Sequence, residues 1–191
     1  MTVRVPREWL KYEYLDPEKI LVGLRGISTS YPLHQLRYEA RALRTRELRK
    51  FGEGRQAALF CYGMGQVIGA NVSFALVERQ DFDLVARFEA GGKTNFVPVQ
   101  LKEWAPSFLP SPQPLQVELD KLGKYVDSKD LVVAFHLNRA GSVLLSELSF
   151  PKTVGELWFF GAAENSQSRW VLIGNLLTSE VLAHEFMYPE A

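Results

Sequence analysis

The run at 131–137, LVVAFHL, is apolar at every position except His136. A strand that carries apolar side chains on both faces needs cover on both, so its sheet must lie between two other layers. That requirement points to an α/β architecture rather than to a sheet with one wet face. With 191 residues, 47% of them hydrophobic, the chain has enough apolar surface to build such a core.

The rest of the chain supplies the layers. Residues 1–33 read as a mixed N-terminal segment whose GISTSYP end signals a loop. At 34–50, HQLRYEARALRTRELRK contains good helix formers and neither Gly nor Pro, which predicts a helix. The FGEGR stretch at 51–55 is expected to break it, with a more apolar helix from Gln56 onward. NVSFALVE at 71–78 and LVARFE at 84–89 predict strands. AGGKTN is a hairpin turn by composition, and FVPVQLKEW at 96–104 is the returning strand. APSFLPSPQP is proline-rich loop, and LQVELDKLGKYV at 115–126 predicts a helix despite Gly123. ELWFFGAAENSQSRWVLIG reads as a further hairpin. The expected order is helix, three strands, helix, strand, then more strands. That is an α/β domain over 34–191, its mixed sheet flanked by helices and extended by a C-terminal β-hairpin.

Charge and cysteine content narrow the function classes. Lys and Arg total 22, as do Asp and Glu, so any affinity for nucleic acid must come from local patches. One such patch is the 34–50 segment, where Arg37, Arg41, Arg44, Arg46, Arg49 and Lys50 face only Glu39 and Glu47. Arg41, Arg44 and Arg49 are the candidates for phosphate contact. A single cysteine, Cys61, cannot form an intramolecular disulfide and fits a reducing compartment. The opening MTVRVPREWLKYEY has no apolar signal core, and no apolar run reaches spanning length, so a soluble cytoplasmic protein with no membrane association is expected.

Several motifs fail on context. Gly63, Gly65 and Gly69 are spaced GxGxxxG and lead into a strand, so no helix N-terminus stands ready for a pyrophosphate; a glycine-rich helix end is expected. His34, His136 and His184 are scattered and none has ligand spacing with Cys61. No GxSxG elbow supports serine hydrolysis.

The stretch at 81–104, DFDLVARFEAGGKTNFVPVQLKEW, is different. Side chains alternate on a strand, so Gln100 and Lys102 share one face while Val99, Leu101 and Glu103 take the other. Asp83 heads the neighbouring strand, so pairing in register gathers a carboxylate, an amide oxygen and an ammonium at one end of the hairpin. Asp83, the side-chain oxygen of Gln100 and the carbonyl of Leu101 are oxygen donors of the kind Mg²⁺ or Mn²⁺ takes. Lys102 is placed to stabilise charge on a phosphate undergoing attack. An ordinary cross-strand ion pair between Asp83 and Lys102 is the plainer account of the same residues.

Over roughly 53–137 this arrangement resembles the PD-(D/E)XK nuclease superfamily, and most of all Holliday-junction resolvases and the modified-DNA restriction endonucleases, some of which carry QxK. The matches are Asp83 before LVA, Gln100-x-Lys102 after VPV, then LQVELDKLGKYV and LVVAFHL. The resemblance implies a restriction-endonuclease-like fold and a Mg²⁺- or Mn²⁺-dependent endonuclease acting on DNA. It implies Asp83 and Gln100 as ligands, Lys102 as charge stabiliser, and a helical glutamate: Glu53 first, with Glu39 and Glu47 as runners-up. Gln100 departs from the family, since it replaces the acidic residue and removes a negative charge. Asp81, two residues from Asp83 and on the same face, is an alternative ligand. Two other readings stay open: a catalytically degenerate fold serving as a nucleic-acid-binding or assembly module, and a protein-binding module suggested by the aromatic run Trp158-Phe159-Phe160. A homodimer and a protein partner in a larger assembly are likewise open.

Overall fold

The computed structural model describes residues 5–30, 35–77 and 81–190. His34 and Glu78, the outer ends of a predicted helix and a predicted strand, lie outside the described residues. The elements run α1 (Pro17–Ser30), α2 (Tyr38–Arg41), α3 (Arg49–Ile68), β1 (Ser73–Leu76), β2 (Leu84–Ala90), β3 (Lys93–Trp104), α4 (Leu115–Asp120), β4 (Ser128–Leu137), β5 (Val154–Ala162), β6 (Arg169–Gly174) and β7 (Leu182–Met187).

The seven strands form one mixed sheet in chain order. β1, β2 and β3 are an antiparallel meander. β3, β4 and β5 run parallel, and β5, β6 and β7 are antiparallel again. The turn between β2 and β3 is the two-residue loop Gly91-Gly92, at φ 59 and 70, and it joins Ala90 to Lys93 in register. A tight hairpin of this kind needs left-handed backbone at both central residues, which glycine adopts at no steric cost. Parallel β3 and β4 need a crossover, and α4 with the 3₁₀ turn Lys121–Lys124 provides it.

Two apolar cores lie on opposite faces of the sheet. On one, α1 and α3 cover Leu84, Val99, Leu101, Val132, Ala134, Phe160, Trp170 and Leu172. On the other, Leu115, Leu119 and Leu122 of the crossover cover Val133, Phe135, Leu157 and Phe159. β4 contributes to both cores, as its unbroken apolar run requires.

Four expectations need correction. First, 34–50 is not one helix: α2 ends after four residues, Leu43 turns at φ 57, and α3 starts at Arg49. The segment is rich in helix formers but has no continuous apolar stripe to bury, and burial is what stabilises most helices in proteins. Second, FGEGR does not break a helix; Gly52 and Gly54 lie inside α3. A Cβ at Gly52 would stand 3.2 Å from the Leu43 carbonyl oxygen, so this glycine lets the 42–48 segment lie against α3. Third, the segment before Tyr31 is helix to Ser30. Asp16 caps it, its carboxylate accepting the backbone N–H of Glu18 at 3.0 Å and of Lys19 at 3.4 Å, with Pro17 as first residue. α1 packs on α3, and Tyr188 donates to the Leu21 carbonyl at 2.9 Å. Fourth, Trp158, Phe159 and Phe160 are buried in β5, a central strand, so they offer no surface to a partner.

Candidate functional site

The hairpin brings its three polar residues together. Asp83 directly precedes β2 and is tied into the hairpin, its N–H donating to the Val99 carbonyl at 3.0 Å and its carbonyl accepting Val77 N–H at 2.9 Å. One carboxylate oxygen, Oδ2, accepts the backbone N–H of Leu101 at 2.7 Å and the side-chain Nε2–H of Gln100. Gln100 is buried. Its Nε2 also donates to the Leu101 carbonyl at 3.2 Å, and its Oε1 accepts the Tyr125 hydroxyl at 2.8 Å. The orientation of the amide follows from these partners: two acceptors require the NH₂ end and one donor requires the oxygen end. Tyr125, at the end of the crossover, was missed in the sequence. Its only signal there was an aromatic closing an apolar helical segment.

Lys102 shares the Gln100 face. It interacts electrostatically with Asp83, and its Nζ stands 6.0 Å from the centre of the Tyr125 ring. No salt bridge to Lys102 is formed among the described residues. Burial pushes the Asp83 carboxyl above its ordinary range, opposed by the Leu101 N–H and by Lys102 and reinforced by Glu53. Burial likewise lowers the Lys102 ammonium, with Asp83 opposing. Both shifts disfavour charge in a partly dry place. Burial also raises the Tyr125 phenol to about 12, with the Asp83 and Asp81 charges adding, so it remains a donor.

Asp83, Gln100 and Lys102 open onto a cleft of about 420 Å³ between β3 and the start of α3. Of the three glutamates considered, Glu53 lines this cleft; Glu39 and Glu47 are exposed outside its lining. Glu53 accepts from Arg49 Nε at 2.9 Å. Arg44, Arg49, Arg55 and Lys102 line the cleft against Glu53, Asp83 and Glu103, a slight excess of positive charge. Asp81 is exposed and does not line it. The Arg41 side chain lies outside the description.

A second cluster, missed in the sequence, occupies the same cleft on the opposite face of β3. Glu103 Oε1 accepts from Arg44 Nη2 at 2.5 Å and from Asn138 Nδ2 at 2.7 Å, and it lies 4.0 Å from His136 Nδ1. Glu103 and His136 are direct partners on the parallel strands β3 and β4. His136 is buried and stacked on Phe160, with ring centres 4.9 Å apart. Burial first, then Arg55 and Arg44, pull its pKa down to about 3, so it is neutral at physiological pH. A carboxylate on the inward face of a buried strand was the available signal, since such a group needs partners.

The side chains as arranged do not fit a divalent cation. Mg²⁺ takes several free oxygens in octahedral geometry. Here one Asp83 oxygen already accepts two N–H groups, the Leu101 carbonyl accepts another, and the Gln100 oxygen faces Tyr125. Among the described residues no three His, Cys, Asp or Glu side chains gather around one point. What the site offers is hydrogen-bond donors and four cationic side chains, Arg44, Arg49, Arg55 and Lys102, beside a cleft. Comparison with protein-family models, with curated proteins and with solved structures found no match to this chain.

Proposed function

We propose that this chain is a restriction-endonuclease-like domain that binds the phosphate backbone of DNA in the cleft beside Asp83 and does not cut it. The order α3, β1, β2, β3, α4, β4 supports the fold, because it is the helix, three strands, helix, strand order that the resemblance implies. The observation that carries the functional reading is the Gln100 amide. Its N–H₂ end meets the Asp83 carboxylate while Tyr125 holds its oxygen. The amide thus occupies, by hydrogen bonding, the carboxylate oxygen that a metal would otherwise take.

The cations around it suit a phosphate backbone. Arg49 is largely exposed, with 79% of its side chain accessible, and among the described residues its salt bridge is to Glu53. Exposed ion pairs contribute little, so Arg49 exchanges Glu53 for a phosphate at small cost. Lys102 adds a second charge at the other wall. Fluorescence anisotropy of a labelled duplex across a salt series tests the reading. Arg49→Ala and Lys102→Ala should each weaken binding for every sequence and reduce the salt slope by about one. An unchanged slope in both variants would return these residues to the role of solvated surface.

A metal-dependent endonuclease is the second reading. It is favoured by the convergence of Glu53 and Lys102 on Asp83, both within electrostatic reach. Nicking of plasmid DNA that requires Mg²⁺ or Mn²⁺ and disappears in Asp83→Asn would establish it over the first.

A further inference from the structure

Glu103 holds Arg44 while a better-buried neighbour goes without a partner. His136 Nδ1 is buried and has no hydrogen-bond partner among the described residues. Buried polar atoms left in that condition are rare and call for an explanation. The nearest carboxylate oxygen, Glu103 Oε1, stops 4.0 Å away because it is drawn to Arg44 at 2.5 Å and Asn138 at 2.7 Å.

The three participants differ in freedom. Glu103 and His136 are fixed opposite one another on adjacent strands. Arg44 sits in the irregular segment between α2 and α3, where a side chain can change partner without disturbing a sheet. Arg44 also lines the cleft, together with Arg49, Arg55 and Lys102.

We infer that Arg44 is a phosphate-binding residue kept in reserve by Glu103. A phosphate oxyanion entering the cleft takes the Arg44 guanidinium, which matches it in geometry as well as charge. Glu103 then closes on His136, whose neutral imidazole donates Nδ1–H to the freed carboxylate, while Asn138 stays in place. Glu103 is therefore an internal competitor of the ligand, and His136 is the partner that receives it. The inference rests on the phosphate reading of the cleft and adds to it a residue, an exchange and a sign.

The sign is what the experiment reads. Glu103→Gln keeps the shape and the Asn138 contact but removes the competing charge. It should tighten binding by about 2- to 5-fold, the effect of losing one partly screened charge pair. Two probes are needed, a labelled DNA duplex and inorganic phosphate. Arg44→Ala added to Glu103→Gln should abolish the gain for both. In the unsubstituted protein, phosphate should shift the ¹⁵N resonance of His136 Nδ1 as it gains an acceptor. If the duplex binds but Glu103→Gln brings no gain and the imidazole signal stays put, the exchange is overturned and DNA binding survives. If only inorganic phosphate binds, and binds more tightly to Glu103→Gln, the exchange stands and the DNA reading falls. Failure of both probes with every variant overturns both.

Discussion

The side-chain amide of Gln100 donates to the Asp83 carboxylate, at the same oxygen that accepts the Leu101 backbone N–H at 2.7 Å. Even a half-buried carboxylate is tolerated best when its hydrogen bonds are made, and here the neighbouring strand makes them. Gln100→Glu removes the donor and sets two carboxylates against each other. Stability to urea at neutral pH should fall by about 2–4 kcal/mol, the cost of an unpaired buried charge. Mn²⁺ should restore part of it, since a ligand that binds only the folded state stabilises that state. The unsubstituted protein should show no Mn²⁺-dependent stabilisation; a clear gain there would mean that the closed arrangement opens for metal.

Tyr125 fixes which end of that amide faces Asp83. Tyr125→Phe deletes a hydrogen bond to a buried acceptor and leaves Gln100 Oε1 unpaired. The expected loss is about 1–2 kcal/mol in chemical denaturation, with the far-ultraviolet spectrum unchanged. No measurable loss would show that the hydroxyl does not hold the amide.

His136 sets an acid limit on stability. Its pKa falls from 6.5 to about 3 on folding, so the folded state binds fewer protons than the unfolded one between those values. The stabilisation is complete above pH 6.5 and is lost as pH drops toward 3, at about 1.4 kcal/mol per pH unit. His136→Phe keeps the stack on Phe160 and removes the titration. Stability of the variant, followed by urea titration from pH 7 to pH 4, should slope less steeply than that of the parent by roughly one proton. Equal slopes would show that His136 does not carry the effect.

Two glycines should respond in opposite ways to alanine. At Gly155 a Cβ would run into the backbone of Lys129, where β5 passes β4. Here the β4–β5 register shifts between Ser128 and Val132, and the atoms that would be met belong to the backbone rather than to a flexible side chain, so Gly155→Ala should cost more than about 3 kcal/mol. At Gly123 nothing lies within 4 Å. Gly123→Ala should be neutral or stabilise by up to about 1 kcal/mol, through the unfolded chain. Thermal melts of the pair give the comparison directly, and a tolerated Gly155→Ala would mean that β5 does not sit against β4 as described.

Much of the frame was legible because it depends on short-range physics. The Gly91-Gly92 turn specifies a hairpin by backbone conformation, and with it the register that brings Asp83 to Gln100. Alternation along FVPVQLKEW put Gln100 and Lys102 on one face and Glu103 on the other, and the two networks share no hydrogen-bond partner although both line the cleft. β4 could be read as a doubly covered strand from its composition alone. The α1 cap is a local signal as well, since an N-cap Asp followed by Pro favours a helix start, while the glycine and serine toward the other end of α1 favour a loop.

Neighbours a few residues apart set the alternation, the turns and the layered α/β class. Contacts between distant parts of the chain set the rest. Gly52 and Gly54 sit inside α3 because Gly52 must pass the Leu43 carbonyl and because burial of Ala57 to Cys61 outweighs a propensity cost of about 1 kcal/mol per glycine. β7 joins the sheet through pairing with β6, although its own six residues are mostly exposed. The amide of Gln100 turns its nitrogen to Asp83 because Tyr125, 25 residues further along the chain, supplies the donor for its oxygen. Arg44 meets Glu103 across 59 residues. A side chain with two chemically different ends, or a cation with several carboxylates in reach, has no preferred partner until the fold brings one to it.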